Sequence, residues 1–179
     1  MAVDLVFVVI ATLFISFLFA VAGWQKLRAP RYYASVIREY QLPLLAGNKA
    51  MAIAIGLSEL CTGFLFLVPA SREWAAWFAF MLLLIYAMAI GINLLRGRTS
   101  IDCGCSGPAA AKQKLSTWLL LRNGLLMVVA ITAGMTPFSR ELIWFDMVVI
   151  VLAASLAFLI YAGTEQLIAN STRLRNLRG

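Results

Sequence analysis

Two of the chain's three cysteines, Cys103 and Cys105, stand on either side of Gly104 in the stretch Ile101-Asp102-Cys103-Gly104-Cys105-Ser106-Gly107-Pro108. Thiols separated by one glycine can close on each other, because a residue without Cβ permits the tight bend that brings neighbouring Cα atoms within disulfide reach. Such a loop can be a dithiol or a disulfide. Gly107 and Pro108 stop a helix from forming across the pair. Arg96, Arg98, Lys112 and Lys114 flank it with positive charge that favours thiolate, and Asp102 opposes them locally. Two other readings of these residues stay open. A Gly/Pro/Ser-rich connector needs no chemistry. A thiolate metal site would have to borrow ligands from a partner, because the chain has no histidine. Redox exchange is the better fit, since packing gives no reason to choose cysteine in a polar loop. No metal and no cofactor is expected, and Cys103 and Cys105 are the candidate catalytic residues, shaped by Asp102, Gly104 and Gly107.

The elements that must position this loop are apolar helices. With 179 residues, 63% of them hydrophobic, and a mean hydropathy of +0.89, the chain is too apolar for a soluble domain, where the usual share is about half. It reads as an all-α integral membrane protein in the lipid bilayer, a bundle of about five transmembrane helices over 5–25, 50–69, 74–95, 115–135 and 142–163. Residues 1–163 make one domain and 164–179 a basic tail, expected to be frayed. The first span is kept as a helix despite Ala20-Val21-Ala22, which imitates a signal cleavage site, because no basic segment precedes it. The absence of histidine removes histidine-ligated haem and metal and histidine general-base catalysis. The net charge of +7 sits between apolar spans, so nucleic acid is not an expected partner.

Between Pro30 and Pro43, Tyr33, Val36, Ile37 and Tyr40 fall at helical spacing among Arg31 and Arg38. This predicts a short amphipathic helix lying at the interface, tyrosines toward headgroups and basic residues toward water. Ser71 is the expected N-cap of the third span, with Glu73 in its first turn.

Polar residues inside the spans need partners. An ionised Glu59 at mid-span costs roughly 2.5–3.5 kcal/mol on the insertion scale, so it should face the bundle. Arg122 is the expected partner, about 6 Å different in depth by helical rise. Asn93 and Asn123 join the same core. Gly56, Glu59 and Gly63 share a face on which a neighbour can approach closely. Cys61 points away from Glu59 and reads as a buried filler thiol.

Basic residues set orientation. The connector after the first span, the cysteine loop and the tail hold twelve (Lys26, Arg28, Arg31, Arg38, Lys49; Arg96, Arg98, Lys112, Lys114; Arg173, Arg175, Arg178), against Arg72 and Arg140 in the two short turns. The positive-inside rule then places the N-terminus outside and the C-terminus and cysteine loop in the cytoplasm.

The Asp102-Cys103-Gly104-Cys105-x-Gly107 loop, preceded by Asn93-Leu94-Leu95-Arg96-Gly97-Arg98 and followed by Arg122-Asn123, resembles the methylamine utilisation protein MauE family. Ala22-Gly23-Trp24-Gln25-Lys26-Leu27 and Glu59-Leu60-Cys61-Thr62-Gly63 are similar to early motifs of that family and its DoxX relatives. The resemblance covers about residues 15–130. It implies a DoxX-like four-helix core plus one helix in a bacterial inner membrane. It also implies a thioredoxin-like partner, with which the protein forms or maintains disulfides in an exported client. In methylamine users that client is the methylamine dehydrogenase small subunit. Disulfide formation belongs outside the cytoplasm, whereas the charge count puts the thiols inside. Carriage of thiol equivalents across the membrane reconciles the two.

Overall fold

The computed structural model describes residues 3–42, 47–104, 115–138 and 141–178. Helix α1 (Leu5–Arg28) opens on Asp4, whose carboxylate accepts the Val6 N–H at 2.9 Å, and closes with Lys26 and Arg28 against the carbonyl end of its dipole. Pro30 ends it, since a residue before proline disfavours helical geometry, and the same proline starts α2 (Pro30–Glu39) at its first turn. α3 (Lys49–Leu65) is capped by Asn48, which accepts from Met51 N–H at 2.8 Å. A 3₁₀ turn at Pro69–Ser71 leads into α4 (Arg72–Leu95), followed by α5 (Thr117–Gly134) and α6 (Trp144–Arg178).

α1 is the central staff. It packs against α3, α5 and α6, while α4 packs mainly on α5 and α2 lies across α3. Phe19, Ile15, Leu83, Leu126 and a series of alanines from α4 and α5 make the apolar core. The outer faces of α4, α5 and α6 carry exposed Trp, Phe, Leu and Ile, as lipid-facing surfaces do. The turn from α5 is fastened to the N-terminal strand-like segment, where Phe138 N–H donates to Val3 O at 3.0 Å.

Four expected spans are helices long and apolar enough to cross a membrane: Leu5–Arg28, Pro69–Leu95, Thr117–Gly134 and Trp144–Leu167. The remaining one is shorter than expected, because α3 stops at Leu65 after 17 residues rather than running to 69. The tail is not frayed: α6 continues as helix through Arg178. Ser71 stands at the N-cap position of α4 without capping it, since its hydroxyl donates backward to Leu65 O and Val68 O.

Close approach on the Gly56/Gly63 face is made by α1. A Cβ on Gly23 would meet Gly56 O at 2.6 Å and Leu60 N at 2.7 Å, and one on Gly63 would meet Ser16 O at 2.9 Å. The Ser16 hydroxyl uses this proximity to donate to Gly63 O at 2.7 Å. Small residues on both helices thus let the backbones touch, which is how helices associate where no hydrophobic force separates protein from lipid.

Candidate functional site

The chain leaves α4 through Gly97 in a left-handed turn (φ 71°), where only glycine sits without strain, and Arg98 N–H returns to Asn93 O at 2.9 Å. Ile101, Asp102, Cys103 and Gly104 then run buried against the bundle. Leu115 N–H donates to Ile101 O at 3.3 Å, closing the base of the loop. Gly104 also has a left-handed φ of 71°, and a Cβ there would lie 3.0 Å from Val36 Cγ1. Both conformation and space therefore call for glycine between the cysteines.

Asp102 organises the segment. One carboxylate oxygen accepts the Gly104 N–H at 3.1 Å and the other accepts the Tyr32 hydroxyl at 2.7 Å. The Tyr40 hydroxyl donates to Cys103 O at 3.4 Å. The tyrosines of α2 thus hold the loop instead of facing headgroups: Tyr33 and Tyr40 are buried, and Val36, Tyr40, Ile101 and Cys103 pack in one cluster with Leu115 and Leu119. The amphipathic pattern was legible, but an apolar stripe is the same whether it meets lipid or a loop. Burial pushes the Tyr33 phenol up to about 12, helped by the carboxylates of Glu59 and Asp102. Tyr32 is raised further by burial and by its hydrogen bond to Asp102, and Tyr40 by burial and the Asp102 charge.

Cys103 is disulfide-bonded and Cys61 is a free thiol. Cys105, Gly107, Lys112 and Lys114 lie outside the described residues. Cys61 is exposed on the outer face of α3 rather than buried as filler. Two residues from inward-facing Glu59, it occupies the opposite side of the helix.

Beneath Gly104 lies a cavity of about 80 Å³ lined by Lys26, Tyr33, Glu59, Tyr86, Arg122 and Asn123 among others. Its charges are not paired as the sequence suggested. Lys26 Nζ, at the end of α1, lies 2.7 Å from Glu59 Oε2 and 2.9 Å from Oε1, and the Tyr86 hydroxyl of α4 donates to Oε1 at 2.6 Å. Arg122 instead pairs with Glu165 of α6 at 2.8 Å. The cause is topological: α3 rests on α1, so the nearest cation to Glu59 comes from α1. Asn93 is fully buried, its amide donating to Ala89 O at 3.0 Å within its own helix. Asn123 is 2% exposed and its Nδ2 has no hydrogen-bond partner, so it projects an unsatisfied donor into the same cavity. Glu59, Arg122 and Asn123 therefore share one cavity, and Asn93 does not line it.

Sequence reasoning missed Lys26, Tyr86, Glu165 and the holding role of Tyr32 and Tyr40. One signal for Lys26 was present: Gly23 and Lys26 stand three apart on α1, as Gly56 and Glu59 do on α3. A helix face with a glycine for contact and a charge one turn on matches its complement.

The family profile described as methylamine utilisation protein MauE matches residues 4–136. The chain is similar to the methylamine utilization protein MauE of Paracoccus versutus, 34% identical over 155 residues covering 86% of this chain and 83% of that protein. It is 38% identical to the protein of that name from Paracoccus denitrificans over 120 residues, covering 66% and 63%. For the one from Methylorubrum extorquens the identity is 32% over 155 residues, covering 86% and 83%. No solved structure matches the chain.

Proposed function

The chain belongs to the methylamine utilisation protein MauE family, and from that premise we propose that it serves methylamine utilisation as the membrane component of a thiol–disulfide system. Cys103 and Cys105 are the redox couple, a thioredoxin-like protein is the exchange partner, and an exported disulfide-containing protein is the client. The observation that carries this reading is a disulfide-bonded Cys103 in a loop held by Asp102, Tyr32 and Tyr40, while the chain's third cysteine is a free thiol on the opposite face of its helix.

The exchange runs through a thiolate. One loop cysteine, deprotonated, attacks a partner disulfide sulfur and expels the partner's other sulfur as thiolate. The second loop cysteine then attacks the mixed disulfide, closing the loop disulfide and releasing the partner as a dithiol. Two electrons pass from loop to partner, and the reverse sequence oxidises the partner at the loop's expense. Asp102 and the basic residues around the loop act in opposite senses on the thiolate.

The test replaces each loop cysteine by serine in turn and follows the client's disulfides by alkylation and gel shift. Both variants are expected to leave the client reduced. Normal client oxidation in both single variants would sink the redox reading, and normal oxidation in the double variant lacking both loop thiols would assign the protein a scaffolding role instead.

The loop is further proposed to face the cytoplasm of a bacterial inner membrane, on the twelve-to-two distribution of basic residues. After reduction, a membrane-impermeant maleimide should label the loop in inverted vesicles and not in intact cells, in a Cys61→Ala background that removes the exposed third thiol. Labelling in intact cells would reverse the orientation and place the exchange directly on the outer side.

A further inference from the structure

Next to the loop, a groove of about 620 Å³ opens to solvent between the end of α2 and the segment leading to Cys103, lined by Ser35, Arg38, Glu39, Gln41, Arg98, Ser100 and Ile101. Arg38 and Glu39 are exposed and Arg98 is half-buried. Neither arginine makes an ion pair with a described residue, since the pairs formed are Lys26–Glu59 and Arg122–Glu165. Arg96 adds a third guanidinium at the rim, its Nη1 donating to Gln41 O at 3.5 Å. The groove thus offers three cations and one carboxylate, with none of the cations held by a described carboxylate.

Its position matters as much as its charge. Ile101 forms part of its wall and packs with Val36, Tyr40 and Cys103 in one cluster, so the groove lies two residues along the chain from the sulfur. A polypeptide extends about 3.3–3.6 Å per residue. Residues two or three away from a cysteine that bonds to the loop therefore fall within about 10 Å of it, over this groove.

We propose that the Arg38/Arg98 groove is the docking site for an acidic polypeptide segment flanking the exchanging cysteine of the partner protein. This rests on the thiol-exchange reading of the loop. A phospholipid headgroup offers the same negative charge, but it brings acyl chains, and the only large apolar side chain in the groove wall is the buried Ile101. The groove has serines, a glutamine and charges where a lipid needs an apolar bed, and these suit the backbone and carboxylates of a peptide.

The test uses two synthetic heptapeptides, each with a central cysteine carried as its mixed disulfide with thionitrobenzoate and flanked by glutamates in one and lysines in the other. The reduced full-length protein carrying Cys61→Ala, so that the loop supplies the reacting thiols, is placed in nanodiscs of phosphatidylcholine and mixed with each, and thionitrobenzoate release is followed by absorbance. The acidic peptide is expected to react about tenfold faster at low salt, with the ratio falling toward one as salt is raised. Arg38→Gln with Arg98→Gln should collapse the ratio, and Glu39→Gln should increase it. Arg38 and Glu39 are exposed, and the half-buried Arg98 has no ion pair with a described residue, so the fold should be retained.

Equal rates for the two peptides with both groove arginines in place would overturn the groove. So would an acidic preference that persists undiminished in the Arg38→Gln/Arg98→Gln variant. A ratio that vanishes when phosphatidylglycerol replaces phosphatidylcholine would give the groove to lipid headgroups. Release from neither peptide would be a different failure, that of the thiol-exchange reading itself.

Discussion

Among the described residues, two largely buried ion pairs join helices of this bundle, and they differ in what surrounds them. Lys26–Glu59 joins α1 to α3 where Gly23 and Gly56 bring the backbones into contact, and Tyr86 adds a third helix to the same carboxylate. Arg122–Glu165 joins α5 to α6, whose membrane window is only 6% buried and whose Gly163 has nothing within 4 Å of a would-be side chain. One pair is the centre of a closely fitted joint, and the other tethers a helix that meets α1 through the Phe14–Tyr161 and Phe17–Phe158 ring pairs and otherwise faces lipid. A buried charge pair is costly to assemble and costlier to halve. The contrast shows that its structural weight depends on whether the helices around it can move apart to admit lipid or water.

The largest effect should come from the glycines. Gly23→Leu forces side-chain atoms into the α3 backbone, and a loss of more than about 3 kcal/mol is expected, read as disappearance of the monodisperse species in size-exclusion chromatography. Gly163→Leu should elute unchanged. Equal behaviour of the two variants would erase the distinction between joint and tether.

The ion pairs come next. Lys26→Met and Glu59→Leu should each cost about 3–5 kcal/mol by leaving one charge buried and alone, and the double variant should recover most of the loss. Arg122→Met and Glu165→Leu should cost about half as much, because α6 can yield to let water reach the stranded group. Thermal unfolding of all five in one detergent makes the comparison, and the proposed contrast is lost if the α5–α6 pair proves the costlier. Tyr86→Phe sharpens it further. It removes only the hydroxyl that donates to Glu59 and should lower stability by about 1.5 kcal/mol while leaving the pair in place.

The smallest effect concerns α2 and pH. Tyr33 holds its proton up to about pH 12 in the fold, whereas an unfolded phenol ionises near 10. The folded state binds that proton more tightly, so its contribution to stability is complete below pH 10 and is lost as pH rises from 10 to 12. Melting temperature should fall across that window, and Tyr33→Phe should flatten part of the decline. An identical slope in the variant would mean that α2 does not stay seated on the loop.

What the sequence made legible follows from how local each signal is. The apolar runs and the thiol pair are contiguous, so the helices and the loop were readable from short windows. Glycines at 56 and 63 announced a close neighbour, because small residues on one face have few other uses in lipid. The identity of the neighbour was not local. Depth alone favoured Arg122 for Glu59, and depth does not say which helix is adjacent. Tyr32 and Tyr40 were hidden for a related reason, since their partners Asp102 and Cys103 lie about sixty to seventy residues away along the chain. Cys61 was misjudged because in a membrane the outside of a helix is as apolar as the inside, so a thiol gives no sign of which way it faces.

The unbroken run of α6 has a mechanical meaning. Its 35 residues make a rod of about 52 Å, and the portion beyond Leu167 reaches about 16 Å past the segment suited to hydrocarbon. A helix adjusts to bilayer thickness by tilting. With Glu165 as the pivot, the helix from there to Arg178 is an arm of about 20 Å, and a 10° change in tilt sweeps its end sideways by about 3 Å. The end of α6 therefore moves with the thickness of the surrounding lipid, on the side of the bundle where α4 hands the chain to the cysteine loop.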